Sequence, residues 1–312
     1  MNYAEQSEWQ AIQQSLPPAY RLTPDTAPDE EWWEHRGHRI HLDTYRAPDA
    51  PVKVILLHGV GTNGRQMSTI LGHPLAERGF ETIAIDMPTY GVTEVAPGAL
   101  VTYDDWVRIG SDLVDAELAK DDRPVVLYGL SAGGMETYHI ASINPRVSGI
   151  VGMTFLDQQS AKVRRDTAFD PITGAVGAPV MKALARTPLR GTKVPMKLVS
   201  KMRALVNDPA AKRACYADRT SAGNLVSVAF LDSYLNYRPA VAPEEFETCP
   251  VLLTQPTADR WTPLELSTPF LDRITRVPVE TVLLENAGHY PLEQPGLDTM
   301  AKTIAAFAAA QL

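Results

Sequence analysis

Two cysteines, Cys215 and Cys249, are all that 312 residues contain, too few for a disulfide framework or a cysteine-ligated zinc site. No apolar run approaches the roughly 18 residues that a membrane-spanning helix needs. The opening stretch, MNYAEQSEWQAIQQSLPP, has acidic and amide side chains where a secretory leader has a positive end and a greasy middle. The expected location is therefore the cytoplasm. Positive charge is also scarce: 29 basic against 37 acidic residues give a net charge of −8, which disfavours a nucleic-acid binder. Gly59, Gly61 and Gly64 tempt a nucleotide reading, but no G-x-x-x-x-G-K-[ST] is present, and their G-x-G-x-x-G spacing is not read as a proper dinucleotide site. With 45% hydrophobic and 21% charged residues, the chain has the balance of a folded globular protein and not of a disordered, collagenous or coiled-coil one.

Charge and periodicity divide the sequence. Residues 161–219 hold 13 basic and 4 acidic residues, while the remainder holds 16 basic and 33 acidic, so a basic insert sits within an acidic body. In that body short apolar runs recur: VKVILLHG (52–59), ETIAID (81–86), PVVLYGL (124–130), GIVGMTFLD (149–157), CPVLLTQP (249–256) and VPVETVLLENAG (277–288). Near-continuous apolar strands are those covered on both faces, as in parallel sheets. Helical patterns lie between them, one carrying Leu71, Leu75 and Ala76 and another Ile109, Leu113 and Leu118. Before them HRGHRIHLDTYRA (35–47) alternates like an antiparallel hairpin arm. The expected fold is α/β: a doubly wound, mostly parallel eight-stranded sheet. Residues 1–157 and 243–312 form its core, and 158–242 a helical cap inserted after the sixth strand. In the insert, VPMKLVSKMRALVNDP (194–209) reads as one amphipathic helix, with Val194, Leu198, Met202, Leu205 and Val206 on one stripe. Lys193, Lys197 and Lys201 form a second stripe. That basic face is either solvated or an entrance that draws anionic substrates or lipid head groups.

Gly129-Leu130-Ser131-Ala132-Gly133 is a G-x-S-x-G following an apolar run and opening a helical one. On such a strand-to-helix turn the serine occupies a strained backbone conformation, and side chains two residues away would collide with the packing around it. A serine hydroxyl is a weak nucleophile at neutral pH and needs a base. His289, in the loop Asn286-Ala287-Gly288-His289-Tyr290-Pro291 after the last apolar run, falls at the same sheet edge. The base needs a carboxylate to fix its tautomer. Asp259, just beyond CPVLLTQP, is the assignment, with Asp157 and Glu285 as alternatives. Oxyanion donors are expected from the amide of Ala132, following the nucleophile, and from that of Val60 in the loop after the first parallel strand.

Other residues are read as structural. His35, His38 and His41 invite a metal reading, but along one strand the outer two would be about 20 Å apart and would not converge on one ion. His58 is expected to pack its loop and His139 to pack behind the nucleophile. Cys215 has no histidine nearby in sequence for thiol chemistry. No metal or cofactor is implied.

Ser131, Asp259 and His289 in that order, with HGVG upstream, resemble the α/β-hydrolase superfamily from about residue 40 to the end, apart from the insert. HGVGTNGRQM followed by LAERGFETIAIDMPTYGVT is similar to the monoacylglycerol lipase and lysophospholipase branch. Of that branch's D-x-x-G-x-G-x-S, Asp86 and Gly91 match, while Thr89 replaces its first glycine and Thr93 its serine. The resemblance implies catalytic roles for Ser131, Asp259 and His289, oxyanion roles for Val60 and Ala132, and a loop-anchoring role for Asp86. It implies a serine hydrolase of carboxylic esters acting through an acyl-enzyme on an acylglycerol, a lysophospholipid or a small acyl ester. Thioesterase, carbon–carbon bond hydrolase and cofactor-free haloperoxidase share the triad, and a non-catalytic receptor would share the fold. Aspartate-nucleophile dehalogenases and epoxide hydrolases are set aside by Ser131. The implied partner is a small acyl molecule, anionic or lipid-like, with peripheral membrane contact through the basic cap and no transmembrane segment.

Overall fold

The computed structural model describes residues 2–312. Its strands are β1 (Asp29–His35), β2 (His38–Tyr45), β3 (Lys53–Leu57), β4 (Glu81–Ile85), β5 (Val125–Gly129), β6 (Gly149–Gly152), β7 (Lys193–Pro195), β8 (Leu225–Ser227), β9 (Val251–Pro256) and β10 (Val279–Leu284). Eight of them form one sheet in the order β1-β2-β4-β3-β5-β6-β9-β10, and β7 pairs with β8 apart from it. β1 and β2 form an antiparallel hairpin, β2 runs antiparallel to β4, and every other pairing in the large sheet is parallel. The eight-stranded, mostly parallel α/β sheet read from the sequence is the sheet the molecule has.

Local chemistry explains the elements. All residues of β3, β4, β5, β6 and β9 are buried, as their unbroken apolar character requires in a sheet covered on both faces. The helix Tyr103–Leu118 begins at a capping box in which Thr102 accepts from the Asp105 amide while the Asp105 side chain accepts from the Thr102 amide. It buries Trp106, Ile109 and Leu113 and continues the apolar core.

Three sequence expectations are corrected. The run at 277–288 resembles the central strands, but β10 pairs only with β9 and leaves Glu280, Thr281 and Leu283 exposed. It is the edge of the sheet. The histidines at 35, 38 and 41 do not share a strand: Arg36 and Gly37, both at positive φ, make a two-residue turn that places His35 on β1 opposite His38 on β2. Finally, residues 194–209 do not form one amphipathic helix. Pro195 disfavours helical backbone at Val194 and has no N–H to donate. The segment becomes β7, a single turn over Met196–Val199, extended backbone at Ser200 and a 3-10 turn over Met202–Ala204. Met202 and Leu205 are buried, Leu198 is 54% exposed, and Lys193, Lys197 and Lys201 share no helix face.

Residues 158–242 nevertheless depart from the strand–helix alternation. They carry the helices Ala161–Thr167, Pro171–Leu184, Pro209–Ala217 and Val228–Leu235 and the small β7–β8 pair. Polar contacts stitch them to the loops of the large sheet: Thr220 accepts from the Gly91 amide at 2.9 Å and from Asn63 Nδ2 at 3.0 Å, and Asn224 Nδ2 donates to the Thr89 carbonyl at 2.6 Å.

Candidate active site

β5 ends at Gly129, the chain turns through Leu130 and Ser131, and the helix Ala132–Ala141 starts at once. Ser131 has φ 57° and ψ −117°, a conformation that costs a non-glycine residue roughly 1–3 kcal/mol and persists only where its surroundings enforce it. The surroundings here are glycines. A Cβ on Gly129 would collide with the Gly133 carbonyl, and one on Gly133 would lie 2.7 Å from the Leu57 oxygen and 2.8 Å from the His58 oxygen. Gly134, on the first turn of the helix, is equally constrained: its Cβ would strike the Thr154 carbonyl. Three glycines thus let the turn and its helix seat tightly against the loops after β3 and β6.

The loop after β3 is fixed from several sides. His58 is fully buried, and its Nε2 accepts from the Met87 amide at 3.0 Å. That places the proton on Nδ1, 2.8 Å from the Gly59 carbonyl. Burial lowers the His58 pKa, consistent with a neutral ring. A Cβ on Gly59 would sit 2.8 Å from the Leu130 carbonyl and 3.0 Å from Ser131 Cβ, so glycine there allows the loop to lie against the Ser131 turn. Val60 follows, its carbonyl held by the Tyr90 hydroxyl at 2.7 Å. Ala132, as first residue of its helix, has an amide that lacks an intrahelical acceptor.

Asp86 lies at the base of the neighbouring loop. It accepts from the Gly64 amide at 2.7 Å, the Val92 amide at 2.9 Å and the Tyr3 hydroxyl at 2.9 Å. A Cβ on Gly91, at φ 57°, would collide with its carboxylate.

Asp259 and His289 meet from the two strand ends at β9 and β10. His289 Nδ1 is 2.8 Å from Asp259 Oδ2, and both side chains are essentially buried. The carboxylate also accepts from the Trp261 amide at 2.7 Å, the Thr262 amide at 3.0 Å and the Thr262 hydroxyl at 2.7 Å. Burial pushes this carboxyl up, but the charge and hydrogen bond of His289, with Thr262, outweigh it and hold the group well below the usual carboxylate range. Asp157 instead accepts the Gln159 amide, and Glu285 is exposed. Neither bonds to His289. The other ring nitrogen, Nε2, is buried with no hydrogen-bond partner among the described residues, so no such bond joins it to Ser131 here.

Trp261 and Thr262 were not singled out from sequence, and only their adjacency to Asp259 in TADRWTP could have signalled them. The Trp261 ring lies 4.6 Å from that of His289, and its Nε1 donates to Thr167 of the insert at 3.0 Å. Trp261 also lines, with Val60 and Ser131, a cavity of about 760 Å³ including its open mouth. Most of the remaining wall belongs to the insert: Ala178, Met181, Met196, Val199 and Leu231 give it an apolar surface. A serine in the wall of an apolar chamber that also takes in Trp261, the ring neighbour of a carboxylate-held imidazole, is an arrangement suited to acyl transfer.

His41, on β2, is buried 3.0 Å from Glu30, 3.0 Å from Asp86 and 3.6 Å from Asp43. Arg65 pairs with Asp43 through Nε at 2.6 Å and Nη2 at 2.9 Å, giving the cluster its second cation. His139 is buried against Tyr103, whose hydroxyl lies 3.0 Å from its Nδ1, and Cys215 is buried in the insert.

Comparison with known proteins adds a family and a set of folds. A model described as the alpha/beta hydrolase family matches residues 54–301. No curated protein matches by sequence. A monoacylglycerol lipase from Paleococcus ferrophilus is 20% identical with a TM-score of 0.69, covering 88% of this chain and 99% of its own. A soluble variant of monoglyceride lipase from Saccharomyces cerevisiae, solved with a substrate analog, is 16% identical with a TM-score of 0.73, covering 93% and 97%. A Bacillus subtilis carboxylesterase is 19% identical with a TM-score of 0.57, covering 97% of each chain.

Proposed function

The chain belongs to the alpha/beta hydrolase family, and on that premise we propose that it is a serine hydrolase of carboxylic esters, with Ser131 as nucleophile, His289 as base and Asp259 as orienting carboxylate. The observation that carries this reading is the 2.8 Å contact between Asp259 and His289 Nδ1, which leaves Nε2 unpartnered while Ser131 lines the adjoining cavity. A carboxylate on Nδ1 holds the imidazole in the tautomer whose Nε2 has the free lone pair. The two lipases and the carboxylesterase of similar fold support an ester as the bond cleaved.

In this mechanism Nε2 takes the Ser131 proton as the hydroxyl oxygen attacks the ester carbonyl. The bond between them forms in the substrate complex, as catalytic hydrogen bonds often tighten only there. The amides of Val60 and Ala132 receive the developing oxyanion, each donor contributing about 3–4 kcal/mol. His289 then returns the proton to the leaving alcohol and activates the water that frees the acid. Asp259 stays ionised throughout, because its three other hydrogen-bond donors stabilise the carboxylate. The apolar wall accommodates the acyl chain of an acylglycerol, a lysophospholipid or a smaller ester.

Ser131→Ala is expected to lower kcat on a p-nitrophenyl ester by about 10⁴-fold or more and to abolish labelling by a fluorophosphonate, with the thermal midpoint essentially unchanged. Wild-type turnover in that variant would overturn the assignment. Failure of the native protein to label would favour a receptor on the same fold.

A further inference from the structure

Among the residues lining the cavity beside Ser131, Arg164 is the one charged side chain. It is half-buried on the helix Ala161–Thr167, where its backbone bonds to Ser160 and Ala168, while its guanidinium has no hydrogen-bond or ion-pair partner among the described residues. Its neighbours differ: Lys162 and Arg165 both pair with Asp166, at 2.7 and 3.3 Å. No carboxylate lines the cavity to neutralise Arg164. A half-buried arginine whose guanidinium has no counter-ion is available to an anion, and its planar fork suits a carboxylate or a phosphate.

A second group in the same wall is also unmet. Gln158 is 8% exposed; its Nε2 donates to the Tyr234 hydroxyl at 3.1 Å, and its Oε1 has no partner. Exchanging the two ends of the amide leaves a donor unmet instead, with the Tyr234 hydroxyl donating to Oε1. In either orientation one buried polar atom of Gln158 awaits a ligand. Both residues line a chamber that is otherwise mainly apolar and that Ser131 also lines.

We infer that the ester taken by this site carries an anionic oxygen group, a carboxylate or a phosphate, bound by Arg164 inside the cavity with Gln158 meeting a polar atom beside it. This rests on the hydrolase reading for the ester but not for the anion. It differs from recognition by a basic surface. Lys193 and Lys197 are exposed, and their attraction would be screened by salt, whereas a partly buried contact is screened much less.

The test uses the full chain and two substrate pairs. One is p-nitrophenyl octanoate against the p-nitrophenyl half-ester of octanedioate. The other is a monododecanoyl glycerol against its phosphate-bearing counterpart. The readout is selectivity, the ratio of kcat/KM for the anionic over the neutral member. Arg164→Met is expected to lower that ratio by about 10- to 100-fold in at least one pair, Arg164→Lys to retain part of it, and added salt to change it by less than about 2-fold. The pair that responds identifies the carboxylate or the phosphate as the source. A ratio unmoved by Arg164→Met in both pairs overturns the inference. A separate arm needs no turnover: octanedioate and glycerol phosphate are titrated calorimetrically into Ser131→Ala and into Ser131→Ala with Arg164→Met. Binding by the first and not the second supports the anion site even if no ester is cleaved. Absence of binding to Ser131→Ala by both ligands overturns it even if esters are.

Discussion

At the scale of single residues, Ser131 and Thr89 are two of the four non-glycine residues at positive φ among the described residues, and the two differ in what they gain. Ser131 at φ 57° places its hydroxyl at the head of a helix and at the wall of the cavity. Thr89 at φ 82° stands where the resembling branch has a glycine. Its β-branched side chain is poorly suited to that region, and its hydroxyl is buried without a partner. The Asn224 hydrogen bond to the Thr89 carbonyl helps to hold the strained turn. Replacing Thr89 by glycine removes strain of about 1–3 kcal/mol and an unmet hydroxyl, against a backbone-entropy cost of about 0.5–1 kcal/mol. Thr89→Gly is therefore expected to stabilise the protein by about 1 kcal/mol or more, measured as a higher urea midpoint at unchanged slope. A lower midpoint would show that the threonine contributes something this balance omits. Residues of this kind are legible in sequence only as departures from a pattern. The G-x-S-x-G motif announces Ser131, and the absent glycine announces Thr89, but the orphaned hydroxyl becomes visible only in the packed turn.

Among elements, the helix Ala132–Ala141 shows how packing overrides propensity. Alanine in place of a helical glycine ordinarily stabilises by about 1 kcal/mol. Gly134 should behave oppositely, because its Cβ would meet the Thr154 carbonyl on the loop after β6, and neither backbone can give way cheaply. Gly134→Ala is expected to destabilise by about 3 kcal/mol or more and to lower activity by displacing Ser131. A Tm equal to or above the wild-type value would overturn this account. The insert makes the same point. The three- and four-residue spacing of apolar side chains in 194–209 is genuinely helical, yet Pro195 and the pairing of β7 with β8 break it into short turns. Periodicity records which residues seek burial, and Met202 and Leu205 do find it. It does not record that two segments distant in sequence will pair through their backbones.

Across the whole molecule, one buried charge cluster ties the N-terminal segment to the sheet. Tyr3 reaches Asp86, its ring and that of Trp9 lie 4.7 and 4.8 Å from the Arg65 guanidinium, and His41 sits among Glu30, Asp43 and Asp86. Burial lowers the His41 pKa, but hydrogen bonds and charge from Asp86 and Glu30 outweigh it and raise the group from 6.5 to about 9. A histidine raised in the folded state contributes stability in full below its unfolded value. That contribution is lost as pH rises through the folded one. Stability to urea should therefore fall by up to about 3 kcal/mol between pH 6.5 and 9, and His41→Gln should start lower and lack most of that fall. A flat wild-type profile over this window would mean that His41 is neutral in the fold. Much of this protein was decided by its chain order alone: the strand–helix alternation, the strained serine turn and the late histidine all follow from steric and periodic rules that act over a few residues. What awaited folding were the distances between remote segments, because only a packed sheet brings β9 and β10 together so that Asp259, and neither Asp157 nor Glu285, reaches His289. The cavity wall, in which residues from 158–242 meet Val60, Ser131 and Trp261 and in which the Arg164 side chain has no partner among the described residues, is likewise a product of folding, and no local pattern encodes it.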